Sequence, residues 1–270
     1  LMAQHASQLI RGLRYGMAAT GAKEGIIALK AKYQPAITAL EPLLPENVRI
    51  HILPDVYPAG DEVITIWQAT GRRVPPAALP ISIGVVVNNV QTLLNLAAAL
   101  ETETPVTHRT LTINGAVRNP MTVTVPLGVT LRDVLTLAGG ATIPDPAFIN
   151  GGPMMGRAMS NLASPVVKGC SGITVLGGAA ALRGRESSCI KCAKCVSACP
   201  MGLEPYLMAK LSRRKLWERL EAEWVTNCIE CGCCQFTCPA DIPLLDFIRM
   251  GKQEVGALIR ARAAAHATKK

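Results

Sequence analysis

An alternating helix and strand order at the amino end, short period-two strands in the middle and two cysteine-rich runs towards the carboxyl end predict α/β units followed by a helical one. The expected order is a layered α/β domain over 1–104, a β-grasp domain with connecting strands over 105–178, a helical metal-binding domain over 179–262 and a flexible basic tail over 263–270. A length of 270 residues accommodates one to three domains, and 49% hydrophobic content supplies their cores.

Residues Met2, Ala6, Leu9, Leu13 and Met17 recur at helical spacing, and Gly21 lies just beyond as a stop. The apolar run 25–29 reads as a buried strand, followed by a helix over 34–44 and a strand over 48–53. In Tyr57-Pro-Ala-Gly60-Asp61-Glu62 a turn delivers two carboxylates to the start of an apolar helical segment, where capping is a sufficient structural reason for them. The proline-rich stretch 71–80 reads as an ordered loop. Gly84-Val-Val-Val-Asn88-Asn89-Val-Gln-Thr92 reads as a strand ending in two asparagines before a helix, the junction at which open α/β sheets bind ligands. Taken alone, Asn88 and Asn89 are turn and cap residues.

From 107 onwards the texture changes. Residues 109–113 and 121–125 alternate with period two around Asn114-Gly115 and Pro120. Thr130 can cap a helix over 131–138 that stops at Gly139-Gly140, and a strand over 147–149 follows. Gly151-Gly-Pro-Met-Met-Gly156 lacks the Lys-Ser/Thr of a phosphate loop and reads as a packed backbone turn. Further on, 203–225 is expected to be helical, with Leu207, Leu211 and Trp224 available for packing, and 244–259 forms a terminal helix.

The cysteines carry the chemistry. Cys189-Ile-Lys-Cys192-Ala-Lys-Cys195-Val-Ser-Ala-Cys199-Pro200 has the C-x₂-C-x₂-C-x₃-C-P spacing of bacterial ferredoxins, and Cys228-Ile-Glu-Cys231-Gly-Cys-Cys234-Gln-Phe-Thr-Cys238-Pro239 repeats it. Three closely spaced thiols wrap one cubane, and the cysteine before proline ligates the other. That rule assigns Cys189, Cys192, Cys195 and Cys238 to a first [4Fe–4S] cluster and Cys228, Cys231, Cys234 and Cys199 to a second. Structural zinc is the competing reading, but paired zinc knuckles have no use for a third cysteine at this spacing and a fourth before proline. Disulfides suit thiols three residues apart poorly, and no secretion signal is seen. Cys170 and Cys233 fall outside the register and read as small hydrophobes.

The formal charge of +9 raises nucleic acid or an anionic membrane as partners. Aromatic content of 4% is poor for single-strand nucleic-acid stacking, and two oxidised cubanes would bring the charge down to about +5. The basic excess gathers around the cysteines, in Arg183, Arg185, Lys191, Lys194, Lys210, Arg213, Arg214, Lys215 and Arg219, as a solvated face or a docking surface for an acidic redox partner. No apolar run is long enough for a membrane span, and ten cysteines without a signal peptide suggest a reducing cytoplasm.

Together, Tyr57-Pro-Ala-Gly-Asp-Glu62, Val85-Val-Val-Asn-Asn-Val-Gln-Thr92, Gly151-Gly-Pro-Met-Met-Gly156 and the doubled cysteine motif resemble the RnfC family, the C subunits of Rnf-type ion-translocating electron-transport complexes. That family is related to the flavin subunit of respiratory complex I. The resemblance implies an FMN-binding α/β domain, a soluble-ligand-binding β-grasp (SLBB) domain and a helical two-cluster ferredoxin domain. It implies that Tyr57, Gly60, Asp61 and Glu62 line the flavin ring and the nicotinamide side, with Asp61 and Glu62 orienting and not abstracting protons. Asn88, Asn89 and Thr92 resemble the turn that bonds the ribityl phosphate. The family's glycine-rich phosphate loop has no counterpart in this chain, so the flavin domain is expected to be incomplete at its amino end.

The implied function is electron transfer between NAD(H), FMN and two [4Fe–4S] clusters, to or from ferredoxin-like iron–sulfur and membrane subunits. The implied location is the cytoplasmic face of a bacterial inner membrane. Residues 48–140 equally resemble the cobalamin reductase of propanediol-utilising microcompartments, whose setting would be a microcompartment lumen. A non-catalytic iron–sulfur wiring subunit is the third reading.

Overall fold

The computed structural model describes residues 1–178, 181–182 and 184–267, with side chains to 265. Arg183, within the basic segment, and Lys269 and Lys270 of the expected tail lie outside the described residues. The chain divides into two units, Leu1–His108 and Arg109–Lys270.

In the first unit, helix α1 (Ala6–Thr20) ends where Gly21 turns left-handed at φ 69°. Strand β1 (Gly25–Lys30), helix α2 (Gln34–Leu40) and strand β2 (Val48–Leu53) form a βαβ crossover, with the strands parallel and Ile27 opposite Ile50. The helix expected over 34–44 tightens to a 3₁₀ turn at Glu41–Leu43, where Pro42 cannot donate to the α-helical ladder. Helix α3 (Glu62–Thr70) follows the Pro-Ala-Gly turn, and helix α4 (Val90–Thr102) follows the asparagines.

The strand expected before those asparagines does not form. Val86 and Val87 are 49% and 39% exposed, and the sheet of this unit holds β1 and β2 alone among the described residues. An extended segment without a neighbouring strand has no ladder to join. The core gathers Leu9, Ile27, Leu29, Ile37, Leu40 and Leu93. Helices α1 and α4 are pinned together by Gln8 Nε2, which donates to the Leu94 carbonyl at 3.0 Å, and by Arg11 Nε, 2.7 Å from Glu101.

The second unit opens with a five-stranded sheet. Strands β3 (His108–Gly115), β4 (Met121–Pro126), β5 (Ala147–Asn150), β6 (Arg157–Met159) and β7 (Gly172–Leu176) lie in the order β4-β3-β7-β5-β6. Threonine pairs Thr110–Thr124 and Thr112–Thr122, at 2.8 and 3.1 Å, join β3 to β4. Strand β7 runs parallel to β3 and antiparallel to β5. Strands β6 and β7 carry no alternating pattern, β6 because it is three residues long and β7 because its first four residues are all buried. Helix α5 (Leu131–Leu137), capped by the Thr130 hydroxyl that accepts from Asp133 N–H, packs Leu131, Val134 and Leu135 with Leu111, Ile113 and Ile173 of the sheet.

The rest of this unit is helical: α6 (Lys194–Ser197), α7 (Pro205–Arg213), α8 (Trp217–Ala222), α9 (Cys233–Phe236) and α10 (Leu244–Ala267). The single helix expected over 203–225 is broken at Lys215, which turns left-handed at φ 54°. Leu211 is buried, whereas Trp224 stays 56% exposed and Leu220 packs in its stead. The terminal helix runs eight residues past its expected end, to Ala267, because the sequence Arg260-Ala-Arg-Ala-Ala-Ala is made of strong helix formers. No helix among the described residues is long and apolar enough to cross a membrane.

Candidate iron–sulfur centres and flavin segment

The two cysteine runs fold alike. Lys191 and Glu230 occupy equivalent positions and take φ 56° and 57°, Ala193 and Gly232 take 58° and 81°, and Gly202 and Asp241, three residues past each final cysteine, take 65° and 50°. Each run then enters a one-turn helix, α6 or α9. Non-glycine residues hold this conformation at a cost of about 1–3 kcal/mol each. The repeated left-handed turns form concavities of backbone N–H groups of the kind that surround anions and iron–sulfur centres.

The fold sorts the eight thiols into two cavities. One is lined by Cys189, Cys192, Cys195 and Cys238, the other by Cys199, Cys228, Cys231 and Cys234. In each, three thiols come from one run and the fourth from before the proline of the other. The cavities differ in access. Cys189 and Cys192 are exposed, and their cavity is edged by Lys191, Lys210 and Arg213. Cys231 and Cys234 are each 7% exposed, and their cavity is walled by Met208, Leu245 and Ile248.

The donor chemistry fits cubanes. None of the ten cysteines is joined in a disulfide. The four thiols of each cavity can surround a cluster, one at each corner. Backbone amides already face the sulfurs: Leu203 N–H donates to Cys199 Sγ and Glu230 N–H to Cys228 Sγ, both at 3.4 Å. Burial pushes the Cys228 thiol up to about 11 and Cys234 up to about 12, and neighbouring thiols add to both shifts. Burial also raises Cys195, against an N–H of Tyr206 that opposes the rise. Thiols raised in this way, Cys195, Cys228 and Cys234, ionise less readily unless a cationic group sits beside them.

Cys170 is buried in the β-grasp core with its Sγ 3.5 Å from Asn150 Oδ1. Cys233 lies beside Cys231, hydrogen-bonded to it, and burial pushes its thiol up to about 11. Its place next to the ligand run gives it a closer neighbour than a filler hydrophobe needs, which register alone does not reveal.

In the first unit, Asp61 Oδ1 accepts from Val63 N–H at 3.0 Å and Ile64 N–H at 3.3 Å, and Asn89 Oδ1 accepts from Gln91 N–H at 3.0 Å. Both are helix caps. Gly60 turns at φ 107°, and Tyr57, Glu62, Asn88 and Thr92 are exposed around these two helix starts. Helix α3 also carries two buried side-chain oxygens without a partner, Thr65 Oγ1 and Gln68 Oε1. The exposed Asn88 amide and Thr92 hydroxyl stand at the start of α4, the positive end of a helix, which suits an anionic group, whereas Asp61 and Glu62 place carboxylates at the start of α3, which does not.

Comparison with known proteins defines the class first. Residues 1–98 match the Nuo51 FMN-binding domain, 110–158 the SLBB domain and 188–243 the 4Fe-4S dicluster domain. The chain is thus a flavin and iron–sulfur protein by domain content, in the order the sequence predicts. It is 52% identical to the cobalamin reductase PduS of Citrobacter freundii, over 96% of this chain and 61% of that protein. It is 38% identical to the C subunit of the Na(+)-translocating ferredoxin:NAD(+) oxidoreductase complex of Acetobacterium woodii, over 94% of this chain and 58% of that protein. Both resemblances read from the sequence are therefore borne out, and the chain spans about three fifths of the length of these relatives. A solved NAD+-reducing [NiFe]-hydrogenase shares the fold, with a TM-score of 0.57 at 22% identity over 94% of this chain and 53% of that one.

Proposed function

We propose that the protein is an electron-transfer subunit of an Rnf-type oxidoreductase, passing electrons between NAD(H), FMN and two [4Fe–4S] clusters. The observation that carries this reading is the crossed partition of eight thiols into two cavities, in a chain that also holds a flavin-type domain. When bound, FMN exchanges an electron pair as hydride with the nicotinamide, and the clusters carry electrons singly.

The residues of this chain hold and tune those groups. Cys189, Cys192, Cys195 and Cys238 would hold the open cluster, and Cys199, Cys228, Cys231 and Cys234 the enclosed one. The N–H groups of Leu203 and Glu230 hydrogen-bond to sulfur, which makes the more negative, reduced state of a cluster less costly. Tyr57, Gly60, Asp61 and Glu62 would line the flavin ring, and Asn88, Asn89 and Thr92 its phosphate arm. Asp61 and Asn89 contribute by fixing two helix starts, since their side chains are engaged as caps. The partners are other subunits of a redox complex, at the cytoplasmic face of a membrane.

A second reading, the flavin and iron–sulfur cobalamin reductase of a microcompartment, is favoured by the 52% identity to such a protein. The two readings share the donor side and differ in the acceptor. Rapid mixing of the full-length protein with NADH tests the shared part. Flavin absorbance is expected to bleach first, followed by the cluster bands. Clusters that respond to dithionite while NADH changes nothing would leave a non-catalytic wiring role.

A further inference from the structure

The 151–156 turn of the β-grasp part lies directly behind the second cysteine loop. Gly232 lines the enclosed cavity on one side, and on the other a Cβ built on it would stand 2.7 Å from the Met154 carbonyl oxygen. Arg249 of α10 closes the contact, with Nε 3.1 Å from Glu230 Oε2 and a terminal nitrogen donating to the Met155 carbonyl at 3.0 Å. Lys252 Nζ takes the other Glu230 oxygen at 3.1 Å and the Cys228 carbonyl at 2.7 Å. Glu230, within the Cys228-to-Cys231 loop, is thereby tied through Arg249 to the glycine-rich turn. At the equivalent position of the first run stands Lys191, in a loop whose Cys189 and Cys192 are exposed. Two loops of the same backbone conformation thus differ in cover, and the cover comes from another part of the unit.

We propose that the 151–156 turn is a latch that shields the cluster held by Cys199, Cys228, Cys231 and Cys234, with Arg249 as the positioning residue that keeps it shut. This rests on the two-cluster reading. The turn is pressed against backbone at a glycine, which leaves no room for a side chain between them, so the Met154 peptide backs Gly232 on the side away from the cavity. Arg249 is suited to the link because its planar fork serves a carboxylate and a carbonyl at once, which an ammonium does less well.

The test uses the full chain carrying its clusters, exposed to the iron chelator bathophenanthroline disulfonate, with each cluster followed by EPR after reduction and told apart with Cys238→Ala. In the unmodified protein the open cluster is lost first. Arg249→Met is expected to speed loss of the enclosed cluster by about tenfold, the lower end of what removing an outer-shell partner costs a metal site, and to leave the open cluster's rate unchanged. Gly232→Ala, which pushes on the Met154 carbonyl, should give the same selective change. Lys252→Met removes the same charge without touching the turn, and its effect should be smaller than that of Arg249→Met. Unchanged loss rates in Arg249→Met, or an equal effect of Lys252→Met, would overturn the latch. One cluster signal in the unmodified protein would instead overturn the two-cluster reading, and the latch with it.

Discussion

Cys238→Ala is expected to abolish the reduced-state EPR signal of the cluster whose other three ligands lie about forty residues or more upstream, and to spare the cluster of its own run. Cys238 lines a cavity with Cys189, Cys192 and Cys195, and its charge bears on the Cys195 thiol. Losing one of four thiolates opens a corner of the cubane, so that cluster is missing or left as a three-iron remnant with a different signal. The enclosed cavity keeps Cys199, Cys228, Cys231 and Cys234. Spin integration after dithionite reduction should fall by half. If the surviving signal instead belongs to the Cys189 run, as Cys195→Ala in the same background would reveal, each run binds its own cluster and the crossed assignment is wrong.

The second large effect lies in the first unit. Gly12→Ala is expected to destabilise it by about 1–3 kcal/mol, the usual cost of overpacking, while Gly16→Ala, one turn on, should stabilise it by about 0.5–1 kcal/mol through helix propensity. A Cβ at Gly12 would stand 2.0 Å from the Leu93 carbonyl oxygen, a backbone atom that cannot swing away, so α1 and α4 would have to part. At Gly16 the nearest atom is a Leu93 side-chain methyl at an ordinary 3.7 Å. Thermal unfolding followed by circular dichroism should move in opposite directions for the two variants. A stabilised Gly12→Ala would show that the helices do not approach as described.

These two glycines show where sequence reading stops. Both lie within the first helix, one turn apart, and what distinguishes them is a residue about eighty positions away. The cysteine runs are the opposite case. Their spacing, their repetition and the proline after each last thiol are local, and a repeated local pattern folds twice into the same left-handed turns. Asp61, Asn89 and Thr130 are legible as caps for the same reason. Gly84 to Asn89 misleads because an apolar β-branched run looks the same whether or not a neighbouring strand exists to pair with it. Strand β7, buried on both faces, lacks the alternation that marks β3 and β4. The contact of Arg249 with Met155 spans ninety-four residues and leaves no trace in either segment.

In the proposed function, eight cysteines hold two cubanes. The most direct test of this is iron and acid-labile sulfide analysis of the anaerobically loaded chain, with Mössbauer spectra of the same sample. About eight of each per chain and spectra of [4Fe–4S] centres alone are expected. About four of each, or tightly bound zinc in place of iron with no labile sulfide, would contradict it.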